Sequence, residues 1–416
     1  MRRSPLAGTK PTRHKIALFG AFGVGNLGNE CTLQALLYNI RRYVPHAEIS
    51  CICPGPEETR SAYKIPSSLI KEMPLSPIKN RTLRLLRRIF VGVPMELFRW
   101  CKVIARLKDV DLLVMAGTGM LGDFGIAPLG LHYEILKWTI AAKLCRCKVI
   151  FLSVGAGPLR QALSRYFVKA ALSCADYRSY RDEFSKDYLQ SIRFHAEGDH
   201  VYPDLAFSFP TDTLPRGSDH SGDKPIIGLG LITYFNRRCD SSEDETIYRD
   251  YLKKVANFVA WLLERKYTVR LLIGDVSYDQ RARQDLRIIL EERGFNCSNG
   301  SIIDAPASSV EEVLSQLAAT DLVVASRFHN ILLALMLGKP VLAISYHEKV
   351  DALMADAGLV EFCQNIERID LEKMIGQFGV LRKQAASTKI QLERNAKACR
   401  TALDDQYNHI FSNHFE

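Results

Sequence analysis

The chain has 416 residues, of which 47% are hydrophobic and 24% charged, and its formal net charge is +9. That balance fits an ordinary globular protein with room for about two domains, and it excludes a disordered or fibrous chain. No run of about 18 apolar residues occurs, so no membrane-spanning helix is expected, and the charged N-terminus lacks the apolar stretch of a signal peptide. The 11 cysteines are odd in number and scattered, with C-x-C pairs at Cys51/Cys53 and Cys145/Cys147. They read as reduced thiols of a cytoplasmic protein, and neither a disulfide framework nor a metal site is expected.

Residues 1–14 read as a disordered basic tail. Lys15–Phe19 predicts a strand that runs into Gly20, Gly23, Gly25 and Gly28, then into helical periodicity over Glu30–Arg42; Ala47–Cys53 is the next strand. A β–loop–α–β opening favours a parallel sheet. Amphipathic helices are predicted over Thr82–Arg106, broken near Gly92–Pro94. Asp111–Met115 predicts a strand ending in Gly117-Thr118-Gly119, Gly130–Lys143 a helix, and Lys148–Val154 a strand ending in Gly155-Ala156-Gly157. Tyr177–Tyr180 and Glu183–Gln190 read as a strand and a short helix, and the unit 15–209 closes near Phe209.

Residues 210–224, rich in Pro, Ser, Gly, Asp and Thr, read as a linker. The unit 225–365 repeats the alternation, with strands at Ile226–Leu231, Thr268–Gly274, Asp321–Ala325 and Val341–Ser345. Its helices are Asp250–Arg265, Gln280–Arg293, Val310–Ala319 and Asn330–Leu337. Residues 366–416 read as C-terminal helices. The expected fold is two doubly wound, Rossmann-like α/β domains facing each other across a cleft, with ligands beyond the carboxyl ends of the strands.

The motifs fall at those ends. Gly20–Glu30 offers close backbone approach and helix-start N–H groups to an anion. It lacks the Gly-Lys-Ser/Thr of a P-loop, and the second strand ends in Cys53-Pro54 with no acidic partner for a dinucleotide. A tight βα turn without a ligand is the alternative reading. Gly117-Thr118-Gly119 leaves room for a bulky ligand, or is simply a turn. Asp182 is placed to cap a helix, with Ser185 three residues on, which points Arg181 toward the cleft. Asp204, in Tyr202-Pro203-Asp204, reads as a structural turn carboxylate.

Ser326-Arg327-Phe328-His329 follows an apolar strand and opens an apolar helix. A guanidinium clamps phosphate or carboxylate. A helix N-terminus favours anions and lowers the pKa of a nearby histidine. An anion clamp beside a proton carrier suits reactions that expel phosphate. An Arg capping a carbonyl and a core His would explain the tetrapeptide without a ligand. Ser345-Tyr346-His347-Glu348-Lys349 ends the next strand, so Lys349 is expected to add a second cation nearby. The basic stretch 79–108, with Arg81, Arg84, Arg87, Arg88, Arg99, Lys102, Arg106 and Lys108, reads either as a contact for anionic membrane or as a charged surface. It has no aromatic interleaving, and no nucleic-acid partner is expected.

Taken together, G-x-x-G-x-x-N-x-G-x-E at the first turn, R-D-E-x-S at 181–185, P-D-x-A-F at 203–207, S-R-F-H at 326–329, then A-x-x-x-G-x-P and S-Y-x-x-K resemble the polysaccharide pyruvyltransferase family over about residues 15–365. Many members of that family have Asp where Asn29 stands and Leu where Phe328 stands, and Thr118 interrupts the usual glycine run. The resemblance implies a fold similar to two-domain GT-B glycosyltransferases, with the first domain on the acceptor side and the second on the donor side. It implies phosphoenolpyruvate as co-substrate, a saccharide acceptor and a pyruvyl ketal bridging two hexose hydroxyls.

On that resemblance Arg327 and His329 are the catalytic pair. Ser326, Tyr346, Lys349 and Arg181 assist Arg327 in holding the donor, while Gly25, Asn26, Glu30, Gly117, Thr118 and Gly119 face the acceptor. No further cofactor and no metal are expected. Two rival readings share the architecture: a GT-B glycosyltransferase using a sugar nucleotide, and a non-catalytic, membrane-associated binding protein.

Overall fold

In the computed structural model of the chain, the residues described are 14–71, 88–122, 127–215, 225–234, 241–276, 278–296 and 300–415. The basic tail up to residue 13, residues 79–87 of the basic stretch and the linker residues 216–224 lie outside them.

The first domain opens with strand β1 (Lys15–Phe19), helix α1 (Leu27–Tyr43), β2 (Glu48–Cys53), α2 (Pro56–Tyr63) and β3 (Ser67–Leu69). A π-turn at Arg88–Gly92 runs straight into α3 (Val93–Leu107), where the sequence predicts a break. Then come β4 (Leu112–Ala116), α4 (Leu131–Leu144), β5 (Lys148–Val154), α5 (Ala162–Ser173), β6 (Tyr177–Tyr180), α6 (Glu183–Ser191) and β7 (His200–Val201). The seven strands make one parallel sheet in the order β3-β2-β1-β4-β5-β6-β7.

The second domain contains β8 (Ile226–Gly230), α7 (Ser241–Glu264), β9 (Thr268–Leu272), α8 (Asp279–Glu292), β10 (Ile302–Ile303), α9 (Val310–Ala318) and β11 (Leu322–Ala325). It continues with α10 (Phe328–Met336), β12 (Val341–Ser345), α11 (Glu348–Asp356), β13 (Cys363–Asn365), α12 (Leu371–Lys383) and α13 (Ala385–Phe415). Its six strands form a second parallel sheet, β10-β9-β8-β11-β12-β13.

Both sheets are buried on both faces, as parallel sheets with helical crossovers require. Along β1, Ile16 and Leu18 join one apolar core while Ala17 and Phe19 join another on the opposite face. The helices start where side chains satisfy their free N–H groups: Asn26 caps α1, Asp182 caps α6, and Ser309 with Glu312 forms a capping box on α9.

Helix α13 returns to the first domain. Arg42 pairs with Asp404 at 2.8 Å, and buried Gln406 donates to Ser179 Oγ at 2.7 Å and accepts from Ser153 Oγ at 3.2 Å. The chain therefore crosses twice between its domains, which holds the two sets of strand ends face to face.

Candidate active site

The first turn of one domain meets the second domain directly. Gly23 sits at φ 74°, and a Cβ there would lie 2.0 Å from the Gly55 carbonyl oxygen, so only glycine fits this βα turn. Glu30 accepts from Gly23 N and from the Tyr63 hydroxyl, both at 2.7 Å. Burial pushes its carboxyl up despite those bonds. Glu30 thus shapes the turn. Gly25 and Asn26 then reach across the cleft: Val276 N donates to the Gly25 carbonyl at 2.9 Å, and Leu27 N donates to the Gly274 carbonyl at 3.1 Å. Asn26 Nδ2 lies 3.5 Å from Asp275 Oδ2.

Beyond β11, residue 327 is extended and residue 328 begins α10. This brings His329 against α1, where a Cβ on Gly28 would lie 1.8 Å from His329 Cγ. Glycine at 28 is what admits the imidazole. Burial, then the charges of Arg181, Lys349 and Arg327, push the His329 pKa down to about 3. Imidazole here is held neutral, with three cations around it drawn from both domains.

Those cations are differently anchored. Arg327 Nε donates to Asp279 Oδ1 at 2.7 Å, and its NH2 lies 2.5 Å from the same oxygen. Asp279 is fully buried and also accepts from Gly274 N and Asp275 N. Arg327 is therefore a positioned charge with part of its fork committed, and 18% of the side chain remains exposed. Arg181 is nearly buried, paired with Asp182 at 3.2 Å and Asp204 at 3.6 Å. Its guanidinium lies 4.5 Å over the Phe328 ring, and Lys349 Nζ lies 5.5 Å from the same ring and 5.1 Å from that of Tyr346. Phe328 is the apolar platform on which the charge cluster is built.

Some expected site residues stand elsewhere. Ser326 is fully buried, its hydroxyl 3.0 Å from that of Tyr251, so it braces the strand end from the core side. Thr118 is 3% exposed, with its backbone oxygen accepting from Gly155 N, and no hydrogen-bond partner is found for its hydroxyl among the described residues. Gly117 lies beneath the Ser153 carbonyl, at the sheet edge with half-buried Gly119. Asp279 was missed by sequence reasoning, since 48 residues separate it from Arg327. The available signal was a carboxylate just beyond the end of β9. Among the described residues no group of three or more His, Cys, Asp and Glu side chains is arranged to hold a metal, and no helix is long and apolar enough to cross a membrane.

Two parallel-sheet domains, a cleft at their strand ends and a C-terminal helix that crosses back define the GT-B-like architecture. A structure of HepE from Anabaena in complex with UDP and glucose shares it at a TM-score of 0.58 and 14% identity, covering 95% of this chain and 100% of that one. UDP-GlcNAc 2-epimerase from Neisseria meningitidis, bound to UDP-GlcNAc, does so at 0.56 and 10%, covering 94% and 100%. Within that architecture the chain belongs to the polysaccharide pyruvyl transferase family, whose model matches residues 26–348. It is also similar to the amylovoran biosynthesis protein AmsJ of Erwinia amylovora, 21% identical over 382 residues, covering 85% of this chain and 89% of that protein.

Proposed function

We propose that the protein transfers a pyruvyl group from phosphoenolpyruvate to two hydroxyls of a hexose, forming a ketal during exopolysaccharide synthesis. Family membership and the amylovoran relative support the class of reaction. The observation that carries the chemistry is a neutral imidazole, His329, set among Arg181, Arg327 and Lys349 at the cleft. Neutral imidazole starts as a base. It takes the proton of the first attacking hydroxyl as that oxygen bonds to the central carbon of the donor, and passes it to the methylene carbon as the electron pair of the double bond moves there.

Over the whole reaction the methylene carbon gains one proton and becomes a methyl group. The second hydroxyl closes the ketal, and its proton leaves with phosphate. The three cations stabilise the donor's carboxylate and phosphate as charge shifts onto the leaving group. Glu30, Asn26 and the Gly117–Gly119 turn shape the acceptor side, the acceptor is lipid-linked, and the described part of the basic stretch, 88–108, rests on anionic membrane. Neither a metal nor a further cofactor takes part.

Purified protein with phosphoenolpyruvate and a panel of free and lipid-linked saccharides should release inorganic phosphate only when acceptor is present. His329→Ala should lose roughly 10²–10⁴ of that rate. Near-wild-type turnover in His329→Ala would remove the assigned role. Release of nucleoside diphosphate from a sugar nucleotide, with no thermal protection by phosphoenolpyruvate, would establish the glycosyltransferase reading instead.

A further inference from the structure

Helix α3 has an apolar surface that the described residues of its own domain leave exposed. Its core face buries Val103 and Leu107 beneath the sheet. One apolar face suffices to dock a surface helix. Yet its N-terminal half and the preceding π-turn expose Phe90 (72%), Val91 (41%), Val93 (55%), Leu97 (63%) and Phe98 (56%). Contiguous exposed apolar residues with a charged rim mark a contact surface.

The rim is basic. Lys102 Nζ lies 4.7 Å over the Phe98 ring, and Arg106 and Lys108 follow, both exposed. Glu96, the helix's single carboxylate, is already matched by Arg99 at 3.2 Å and by Lys137 at 3.0 Å. Apolar side chains rimmed by cations, with the one acidic group neutralised, complement an anionic lipid surface.

The location ties this face to the cleft. Trp100 Nε1 donates to Tyr133 Oη near the start of α4, and Cys145 Sγ reaches the Ile104 carbonyl at its end. Helices α3 and α4 therefore run the same way. Helix α4 starts after the Gly117–Gly119 turn, at the carboxyl edge of the sheet, so the exposed N-terminal half of α3 lies at that same edge.

We propose that Phe90, Val93, Leu97 and Phe98 insert into the headgroup region of an anionic bilayer and hold the mouth of the cleft against the membrane, where a lipid-linked acceptor is presented. This rests on the proposed reaction for the acceptor alone; the docking itself is read without turnover. Full-length protein should sediment with phosphatidylglycerol–phosphatidylcholine vesicles and not with pure phosphatidylcholine. The F90S/L97S/F98S variant, changed only at exposed positions, should partition roughly tenfold or more weakly with its melting temperature kept. Brominated lipid should quench Trp100 fluorescence in the wild type, and the quenching should vanish in Trp100→Phe. Absence of vesicle binding by the wild type, or equal binding by the triple variant, overturns the proposal. So does a dimer that the triple variant abolishes while the wild type ignores vesicles, since the face then belongs to a second copy. Phosphate release that fails with every acceptor while vesicle binding stands would sink the reaction and leave the docking face intact.

Discussion

His329 is held neutral by its surroundings, and those surroundings change when an anion binds. Burial and three cations favour the neutral ring. A donor carrying carboxylate and phosphate offsets those cations, so the pKa of the imidazole should rise on binding. In histidine-labelled protein, the resonance lost in His329→Gln should show a neutral ring at pH 5 without donor, and its titration should move upward with phosphoenolpyruvate. A protonated ring at pH 5 in the free protein would contradict the assignment. The same depression bears on stability. The unfolded chain protonates this histidine at about 6.5 and the folded chain near 3. Acidification below about 6.5 therefore favours unfolding at this residue, while alkaline pH leaves its contribution unchanged. His329→Gln should flatten the fall in melting temperature between those two values.

At the scale of elements, the site depends on where helices begin. Gly28 lies in the first turn of α1, where alanine has the better helix propensity by up to about 1 kcal/mol. Gly28→Ala should nevertheless lower the melting temperature and push His329 away, because the added Cβ would lie 1.8 Å from His329 Cγ and 2.3 Å from its Cβ. A displacement of about 1 Å costs on the order of 10²-fold in rate. Full activity in the alanine variant would show that the ring is not held where the structure has it. Asp279 does the parallel work for Arg327: Asp279→Ala leaves a largely buried guanidinium unpaired and should destabilise the fold by up to about 3 kcal/mol in urea unfolding, whereas Tyr278→Ala, at an exposed neighbour, should not.

These elements also show what was legible beforehand. Alternating apolar strands and periodic helices revealed both sheets, and Ser-Arg-Phe-His stood out because it joins β11 to α10. Short pieces such as β3, β10 and α2 carry too little periodicity to announce themselves. The ends of α7 were misread because its polar first turns, from Ser241, lack the apolar stripe that starts near Asp250. Partnerships across the fold, Arg327 with Asp279 and His329 with Gly28, leave no local trace at all. Ser326 was assigned to the donor from its neighbours in sequence, although a residue at a strand end can face the core as easily as the cleft.

At the scale of the molecule, the domains meet in a closed arrangement whose seam includes the Asn26–Asp275 bridge beside the packing of α1 against α9 and α10 and of Arg181 on the Phe328 ring. The seam includes two backbone hydrogen bonds and one long side-chain contact at 3.5 Å. On the proposed reaction, acceptor entry and product release would part it, and closing again would exclude water. Asn26→Asp isolates that step. Aspartate caps a helix as well as asparagine, so α1 should persist and the melting temperature should hardly move. Two carboxylates at about 4 Å repel by about 1 kcal/mol in water and up to about 4 kcal/mol near a protein surface. The variant should therefore populate an open form, seen as a larger radius of gyration in solution scattering. High salt and phosphoenolpyruvate should each restore the compact value, the first by screening and the second by bridging the domains through Arg181, Arg327 and Lys349. A radius unchanged at low salt would mean that the packing of α1 against α9 and α10, with the crossings of the chain, holds the domains together without the Asn26–Asp275 bridge.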